Sequence, residues 1–372
     1  MLKNILVCFG TRPEAIKMAP VCIKLKEQGI PFKLCVTAQH REMLDQVLHF
    51  FELKPDYDLN LMQPNQSLNQ LSARILENID LVLKKEKFDL LLVHGDTTTS
   101  TIAALAAFHN GVKVGHIEAG LRTYNKQAPY PEELNRQLTG KIADYHFAPT
   151  QRAKQNLLNE AVSDSTIAVT GNTVIDALFI TLNKIRSGYK NKFIESVSQK
   201  VDFDKKVVLV TGHRRESFGD GFKNICNAIL KIAAIDNVEI VYPVHLNPNV
   251  QKIVYQMLSN KPNIHLINPL DYPAFVWLMS KSTLIISDSG GIQEEAPSLN
   301  IPVLVTRDVT EREEGVKNGC SYLVGTNVDT IIHRAKTLLK TTSTTSQLKN
   351  PYGEGNAANK IIHFLSTKSI NL

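Results

Sequence analysis

Three carboxylates in the first half of the chain occupy positions from which they could transfer protons. Asp96 and Glu118 each come just after a short apolar segment, and Glu132 opens a helical pattern. Carboxylates that gather in one crevice acquire separated pKa values, so that one can donate a proton while another accepts one. The three residues therefore predict acid–base chemistry, whereas the plainer interpretation of Asp96 alone is a helix N-cap.

A second set of residues is suited to an anion. Thr11 and Glu14 form a T-x-x-E capping box with Pro13 in the first helical turn, so Arg12 projects from a rigid helix start. A guanidinium beside a helix N-terminus can bind a phosphate, although a solvated arginine is the alternative. Lys17 lies one to two turns further on and is open to the same two interpretations.

The second half of the chain contains a glycine-bearing turn with similar potential. An apolar segment breaks at Ser289, Gly290 and Gly291 into a helical pattern that carries Glu294 and Glu295. Backbone N–H groups at such a turn can bind a diphosphate, and a carboxylate one turn later can accept hydrogen bonds from a sugar diol. Because neither the P-loop nor the dinucleotide fingerprint is present, an ordinary strand-to-helix turn is the alternative.

Further candidates lie near other predicted strand ends. His213 precedes two arginines, and this setting favours hydrogen bonding to a diphosphate over a merely packed or exposed histidine. Arg312 is a candidate for a second phosphate or base contact. Phe275 and Trp277 could form an aromatic wall, although core packing is the alternative, above all for Trp277.

A polar cluster opens a helical pattern after the second predicted strand. It consists of Gln39, His40, Arg41 and Glu42, and the helix that follows has an apolar stripe for burial. Four consecutive polar side chains at a strand end could line a second small-molecule pocket. They could equally lie on the surface.

An alternation of strand-like and helical patterns along the chain positions these residues. Strands that are apolar on both faces and separated by helices form parallel βαβ units, which bind ligands at the carboxyl ends of the strands. The predicted strands are Ile5–Phe9, 32–37, Leu90–His94, Lys113–Ile117, 146–149, 207–210, 239–242, 264–266, Leu284–Ser287 and 302–305. The predicted fold class is α/β, with two Rossmann-like parallel-sheet domains and the active site in the interdomain cleft.

The domain crossover is predicted near Gly171, where another strand, glycine turn and helix pattern occurs. A polar, lysine-rich stretch at 183–206 is interpreted as an exposed helix and linker. The N-terminal domain then comprises residues 1–171 and is completed by a C-terminal helix within 356–372. The C-terminal domain comprises residues 172–355.

The composition limits the function classes. A chain of 372 residues with 43% hydrophobic and 21% charged residues suits two globular domains. No apolar run approaches the ~18 residues that span a membrane. Scattered cysteines without C-x-x-C spacing indicate a reducing compartment and no zinc site. The net charge of +6 suits an acidic small ligand, but there is no nucleic-acid motif. We therefore predict a cytoplasmic protein with neither a membrane nor a nucleic-acid partner.

A series of ordered motifs over essentially the whole chain resembles those of the non-hydrolysing UDP-N-acetylglucosamine 2-epimerases. The motifs are GTRPEAIKMAP (10–20), QHREMLDQ (39–46), HGDTTT (94–99), HIEAGLRT (116–123), PEELNR (131–136), GNTVID (171–176), GHRRE (212–216), SDSGGIQEEAPSL (287–299) and NPYGEG (350–355). The resemblance implies a cytoplasmic homodimer with two Rossmann-like domains of the glycosyltransferase-B type. It also implies an isomerase that interconverts UDP-N-acetylglucosamine (UDP-GlcNAc) and UDP-N-acetylmannosamine (UDP-ManNAc) without a redox cofactor or a metal.

The resemblance also implies roles for individual residues. The catalytic positions are Asp96, Glu118, Glu132 and His213, of which Asp96, Glu118 and His213 also bind the UDP-sugar. The other UDP-sugar contacts are Arg12, Lys17, Leu270 through its backbone, Phe275, Ser289, Gly290, Gly291, Glu295 and Arg312. The site where some relatives bind a second UDP-GlcNAc as an activator corresponds in part to Gln39, His40, Glu42 and Gln66.

Two positions depart from the family pattern. Glu313 stands where proline commonly follows the Glu–Arg pair, which predicts a different shape for the loop that carries Arg312. Asn65 stands where the regulated relatives carry arginine. Activation by the substrate is therefore a hypothesis for this chain.

The reaction hypothesis is elimination followed by re-addition. The C2 hydrogen of the intact sugar is not acidic, but breaking the anomeric C–O bond first places positive charge on the ring and acidifies it. Loss of that proton leaves 2-acetamidoglucal and UDP, and re-addition after proton return to the opposite face inverts C2. The product would supply ManNAc-type sugars for cell-surface polysaccharides. The alternatives are a hydrolysing 2-epimerase that releases ManNAc and UDP, a glycosyltransferase of the same architecture, and a non-catalytic nucleotide-sugar sensor.

Overall fold

The structure, a computed structural model, describes residues 4–38, 41–63, 65–212, 214, 219–340 and 349–367. These residues form two compact units, Met1–Phe179 with Tyr352–Leu372, and Ile180–Pro351. Each unit contains one parallel β-sheet whose strands are connected through helices. The fold class is α/β with two Rossmann-like parallel-sheet domains.

The strands and helices alternate along the described chain as βαβ units require. The strands are β1 (Ile5–Phe9), β2 (Phe32–Val36), β3 (Tyr57–Asp58), β4 (Leu90–His94), β5 (Lys113–Ile117), β6 (Tyr145–Ala148), β7 (Ile167–Val169), β8 (Lys206–Thr211), β9 (Val238–Pro243), β10 (Ile264–Ile267), β11 (Leu284–Ser287), β12 (Val303–Val305) and β13 (Ser321–Leu323). The helices are α1 (Arg12–Glu27), α2 (Arg41–Phe50), α3 (Leu68–Lys85), α4 (Thr98–His109), α5 (Glu132–Ile142), α6 (Gln151–Asn159), α7 (Thr173–Arg186), α8 (Lys192–Ser198), α9 (Asp220–Ala233), α10 (Pro248–Leu258), α11 (Tyr272–Ser280), α12 (Gly290–Glu295), α13 (Glu313–Lys317), α14 (Val328–Lys340) and α15 (Ala357–Thr367).

The sheet of the first unit has the order β3-β2-β1-β4-β5-β6-β7, and its paired strands are parallel. In register, Cys8 of β1 lies opposite Cys35 of β2, and Leu6 lies opposite Leu91 of β4. The strand order reverses between β1 and β4. Such a switch point opens a crevice at the carboxyl ends of the two strands, where ligands bind in open α/β sheets.

The sheet of the second unit has the order β10-β9-β8-β11-β12-β13 and is also parallel. In register, Val210 of β8 lies opposite Ile286 of β11. The strand order reverses between β8 and β11. The second crevice is therefore expected where these two strands end, just before Gly212 and Asp288.

The C-terminal helix α15 belongs to the first unit. Oδ2 of Asp176 accepts a hydrogen bond of 3.1 Å from the Ala357 N–H, and Oδ1 accepts one of 2.9 Å from the Ala358 N–H. These bonds satisfy two N–H groups that would have no partner at the start of the helix. Further along α15, the Phe364 ring packs edge-on against Phe147 of β6, with 5.7 Å between the ring centroids.

The structure departs from the sequence-based assignment at three points. The strands β3 and β13 were not predicted, because they contain only two and three residues at the sheet edges. The interpretation of Asp96 as a helix N-cap was wrong. The cap of α4 is Thr97, whose hydroxyl accepts a hydrogen bond of 3.1 Å from the Ser100 N–H, so Asp96 lies one residue outside the helix.

Candidate active site

Glu14 joins the two loops that follow the switch-point strands β1 and β4. Its Oε2 accepts hydrogen bonds from the N–H groups of Gly10 (3.1 Å) and Thr11 (2.8 Å) and from the Thr11 hydroxyl (2.8 Å). Its Oε1 accepts hydrogen bonds from the hydroxyls of Thr97 (2.7 Å) and Ser100 (3.0 Å). Burial raises the pKa of Glu14, although these hydrogen bonds act in the opposite direction. The predicted capping box is confirmed, and Glu14 has a second role that the motif does not reveal.

Arg12 is the first residue of α1 and is half-buried. The Thr11–Glu14 capping box fixes the start of this helix, so the guanidinium extends from a rigid support. Arg12 therefore lies at the first-unit switch point, as the sequence predicts.

Glu118 follows β5 directly and receives hydrogen bonds from two different parts of the unit. Its Oε2 forms an ion pair with Nζ of Lys17 and accepts a hydrogen bond of 2.9 Å from Nδ2 of Asn172. Nε2 of His94 lies 3.8 Å from the same oxygen. The side chains of Lys17 and Glu118 are only 12% and 8% exposed, so this ion pair is largely shielded from solvent.

Asp96 lies in the loop after β4 and pairs with a cation of its own. Its Oδ2 forms an ion pair with Nη2 of Arg136, and its carbonyl oxygen accepts a hydrogen bond of 2.9 Å from Nδ2 of Asn135. Burial raises the pKa of Asp96; the Arg136 charge lowers it, and the charge of Glu118 raises it further. Asp96 and Glu118 are thus close enough for each to influence the protonation of the other.

Two buried histidines adjoin these acids. Burial lowers the pKa of His94 to about 4 and the pKa of His116 to about 3. Nε2 of His116 makes a 2.7 Å hydrogen bond with the Gly95 carbonyl, just before Asp96. Both rings are therefore neutral near pH 7, and the positive charges beside the acids come from Lys17 and Arg136.

Glu132 is the first residue of α5 and is half-buried. The hydrogen bonds described above for Asp96 and Glu118 do not involve it. Its neighbour Glu133 is fully buried and accepts hydrogen bonds from the N–H groups of Thr123 (3.0 Å) and Tyr124 (2.9 Å). For Glu133 burial acts to raise the pKa, but these bonds outweigh it and the pKa is lowered. Glu133 thus fixes the loop that leads to Glu132.

The second-unit switch point contains a compact polar turn. The Ser289 N–H donates a hydrogen bond of 3.0 Å to the Ser287 hydroxyl, which also lies 2.7 Å from the Thr211 hydroxyl. Oδ2 of the buried Asp288 accepts a hydrogen bond of 2.8 Å from the Arg214 N–H. This turn holds the loops after β8 and β11 together and leads directly into α12.

Arg312 lies over the backbone of this turn. A Cβ atom on Gly290 would be 3.1 Å from Cζ of Arg312, closer than an ordinary contact. The guanidinium donates hydrogen bonds to Glu294 (3.0 Å, from Nε) and to Glu311 (2.5 Å, from Nη1). Burial acts to raise the pKa of Glu311, but Arg312 and then Arg307 outweigh it and hold this pKa at about 2.

The remaining predicted contacts of the second unit lie in its inner surface or core. Oε1 of Glu295 accepts a hydrogen bond of 2.9 Å from the Tyr272 hydroxyl, and both residues are buried. Leu270 is buried in the loop before α11, and Phe275 is half-buried within that helix. Trp277 packs edge-on against Phe203 with 5.1 Å between centroids, in agreement with the core interpretation.

The predicted activator pocket is described only in part. Glu42 is exposed in the first turn of α2, whereas Gln66 is half-buried and accepts a hydrogen bond of 2.9 Å from Nη1 of Arg74. Gln39 and His40 lie outside the described residues, as does His213 of the predicted catalytic set.

Two further properties concern the described residues only. Within them, no group of three or more His, Cys, Asp or Glu side chains is arranged to hold a metal ion. Among the helices described, we find none with the length and hydropathy of a transmembrane segment.

Sequence reasoning did not assign any role to Arg136, Asn135 or Asn172. The first two belong to the motif PEELNR and Asn172 to GNTVID, so their presence in ordered motifs was the available signal. It could not reveal that Asn172 reaches Glu118, because this contact joins residues 54 positions apart.

Two Rossmann-like domains with acids and arginines at their switch points define a two-domain α/β protein of the nucleotide-binding type. A family model described as UDP-N-acetylglucosamine 2-epimerase matches residues 23–366. The chain is 52% identical to the UDP-N-acetylglucosamine 2-epimerase of Campylobacter jejuni over 98% of both proteins, and 52% identical to that of Escherichia coli K12 over 99% of this chain and 100% of the relative.

A solved structure extends the comparison to three dimensions. The crystal structure of UDP-GlcNAc 2-epimerase from Neisseria meningitidis bound to UDP-GlcNAc shares 50% sequence identity, with a TM-score of 0.90 over 98% of this chain and 100% of that one. The chain belongs to the UDP-N-acetylglucosamine 2-epimerase family.

Proposed function

We propose that the chain is a non-hydrolysing UDP-GlcNAc 2-epimerase, which inverts C2 by eliminating UDP and adding it back. Family membership and the UDP-GlcNAc bound to the Neisseria relative support this substrate. The observation that carries the proposal is the pairing of two acids. Asp96 and Glu118 act on each other's protonation, and each has its own buried cation, Arg136 or Lys17.

The first step is departure of UDP with the electrons of the anomeric C–O bond. The diphosphate gains negative charge, so fixed positive groups stabilise this transition state. We propose Arg12 in the first unit and Arg312 with the turn Ser289–Gly290 in the second as these groups. His213 and Gly291 complete the proposed diphosphate contacts, and both units act on the same nucleotide sugar.

The second step is removal of the C2 proton by a carboxylate, which forms the C1=C2 double bond of 2-acetamidoglucal. Return of a proton to the other face and re-addition of UDP then give UDP-ManNAc. Inversion needs acids with different proton affinities on the two faces. Support comes from the different surroundings of Asp96 and Glu118, and we propose Glu132 as a third participant.

The rest of the proposal follows from the family resemblance. We propose that Leu270, Phe275 and Glu295 contact the nucleotide, and that Gln39, His40, Glu42 and Gln66 form a regulatory site. We further propose a cytoplasmic homodimer whose product enters polysaccharide synthesis. Light scattering of the purified chain, with and without UDP-GlcNAc, tests the dimer, since a monomer at all concentrations contradicts it.

Incubation with UDP-GlcNAc in D2O, followed by NMR, tests the reaction. The proposal predicts UDP-ManNAc that carries deuterium at C2. Accumulation of free ManNAc and UDP would instead show the hydrolysing reaction. No change in the nucleotide sugar would contradict epimerisation and favour a glycosyltransferase or a sensor.

A further inference from the structure

Lys17 is oriented toward an acid, although its position beside Arg12 also suits a phosphate. It belongs to the second turn of α1, and its Nζ forms an ion pair with Oε2 of Glu118 across 101 residues of sequence. Because both side chains are nearly shielded from solvent, the pair is screened little by water or salt. Lys17 therefore exerts much of its electrostatic effect on this carboxylate.

Asn172 fixes the same carboxylate from another direction. Oδ1 of Asn172 accepts a hydrogen bond of 3.0 Å from the Val174 N–H, so the amide must present Nδ2 to Glu118, at 2.9 Å. The backbone of Asn172 is itself held, since its N–H donates a hydrogen bond of 2.7 Å to the Tyr352 carbonyl. Oε2 of Glu118 thus has two donors whose positions are set by separate elements.

The backbone at Glu118 is also constrained. Its φ angle is 64°, in the left-handed region that a residue with a Cβ rarely adopts. Gly95 allows the side chain to come close, since a Cβ atom there would be 3.5 Å from Oε1 of Glu118. A strained backbone that persists in a well-packed setting is typical of a residue whose orientation matters for function.

We propose that Lys17 is a positioning residue for Glu118, which it holds in place and keeps ionised, and that it is not a principal ligand of the UDP moiety. The inference rests on the proposed function, because the ionised Glu118 is needed there as a proton acceptor. Asn172 shares the positioning role, whereas nucleotide binding falls to Arg12 and the second unit.

The charges around Glu118 determine the expected pH effect. The charged or titratable groups that face it are Lys17, Asp96 and the neutral ring of His94. A nearby cation favours the ionised carboxylate, and a nearby anion favours the protonated one. Without Lys17, Glu118 would therefore bind its proton more tightly, and activity that needs the ionised form would be lost at a higher pH.

The test compares Lys17→Met with the wild-type chain in two independent measurements. We expect the acidic limb of the pH profile of kcat/KM to move upward by about one pH unit or more. We expect the Kd for UDP, measured by calorimetry at pH 8, to change by less than about threefold. A UDP affinity at least tenfold weaker, with an unmoved acidic limb, would overturn the inference and make Lys17 a nucleotide ligand.

Matched variants keep the test decisive. Lys24→Met removes a lysine from the same helix whose pair with Glu27 is exposed, and it should leave both measurements unchanged. If Lys17→Met does not fold, Lys17→Met combined with Glu118→Gln removes both charges and should fold, because an isolated buried charge is the destabilising feature. A double variant that is as unstable as the single one would contradict the coupling. Deuterium exchange by the wild-type chain separates failure of this inference from failure of the proposed reaction.

Discussion

The Thr97 hydroxyl donates a hydrogen bond of 2.7 Å to Oε1 of Glu14, across 83 residues of sequence. This bond joins the start of α1 to the start of α4, the two helices that follow the switch-point strands. Arg12 and Asp96 are the immediate neighbours of the residues so joined. Glu14 therefore sets the separation between a proposed phosphate contact and a proposed acid.

Glu14→Ala should lower the free energy of unfolding by about 3 kcal/mol or more, because several buried donors lose their acceptor. Glu14→Gln should be less damaging, since its oxygen can still accept from the Gly10 and Thr11 N–H groups. Urea unfolding measures both values. Glu27→Gln, at the exposed end of the same helix, is the control and should change stability by less than about 1 kcal/mol.

The buried histidines predict a loss of stability in mild acid. Burial lowers the pKa of His94 to about 4 in the folded chain, whereas an unfolded histidine titrates near 6.5. As the pH falls from 6.5 towards 4, the unfolded state takes up a proton that the folded state does not, so stability decreases.

His94→Gln should reduce this acid sensitivity. Between pH 7 and pH 5 the variant should lose about 2 kcal/mol less stability than the wild-type chain, measured by urea unfolding at each pH. His109→Gln, at the exposed end of α4, should lose as much as the wild type. An unchanged pH dependence in His94→Gln would show that this ring is already charged in the folded chain.

Gly290→Ala should disturb Arg312 without unfolding the second unit. The added Cβ would lie 3.1 to 3.3 Å from the guanidinium atoms, so that this group must move away from the turn. We expect UDP binding to weaken by about tenfold, which corresponds to about 1.4 kcal/mol.

Gly291→Ala is the matched comparison, because its Cβ would be 3.9 Å from the Ser289 hydroxyl. Calorimetric titration with UDP should show a clearly smaller effect for this variant. Equal affinities for the two variants would argue against Arg312 as a diphosphate contact.

The sequence was most informative where the physical signal is local. The strands β1, β4, β5 and β11 match the predicted segments, because a buried parallel strand is a continuous apolar run bounded by polar or glycine residues. The capping box of Thr11 and Glu14 is equally local. Short edge strands such as β3 and β13 have no such run and could not be recognised.

Contacts across the chain were not predictable from spacing. The shift of the α4 cap from Asp96 to Thr97 depends on one residue of loop, which is within the uncertainty of any helix boundary. The cations beside the acids, Arg136 and Lys17, come from helices distant in sequence. Only the folded sheet shows which cation meets which acid.

The central claim is that the bond between the anomeric carbon and the diphosphate oxygen breaks during turnover. UDP-GlcNAc labelled with ¹⁸O in that bridging position, incubated with the purified chain and followed by ³¹P NMR, tests it most directly. Free rotation of the released β-phosphate should move the label into non-bridging positions in recovered nucleotide sugar. Epimerisation with the label fully retained in the bridge would contradict elimination and the roles assigned to the acids and arginines.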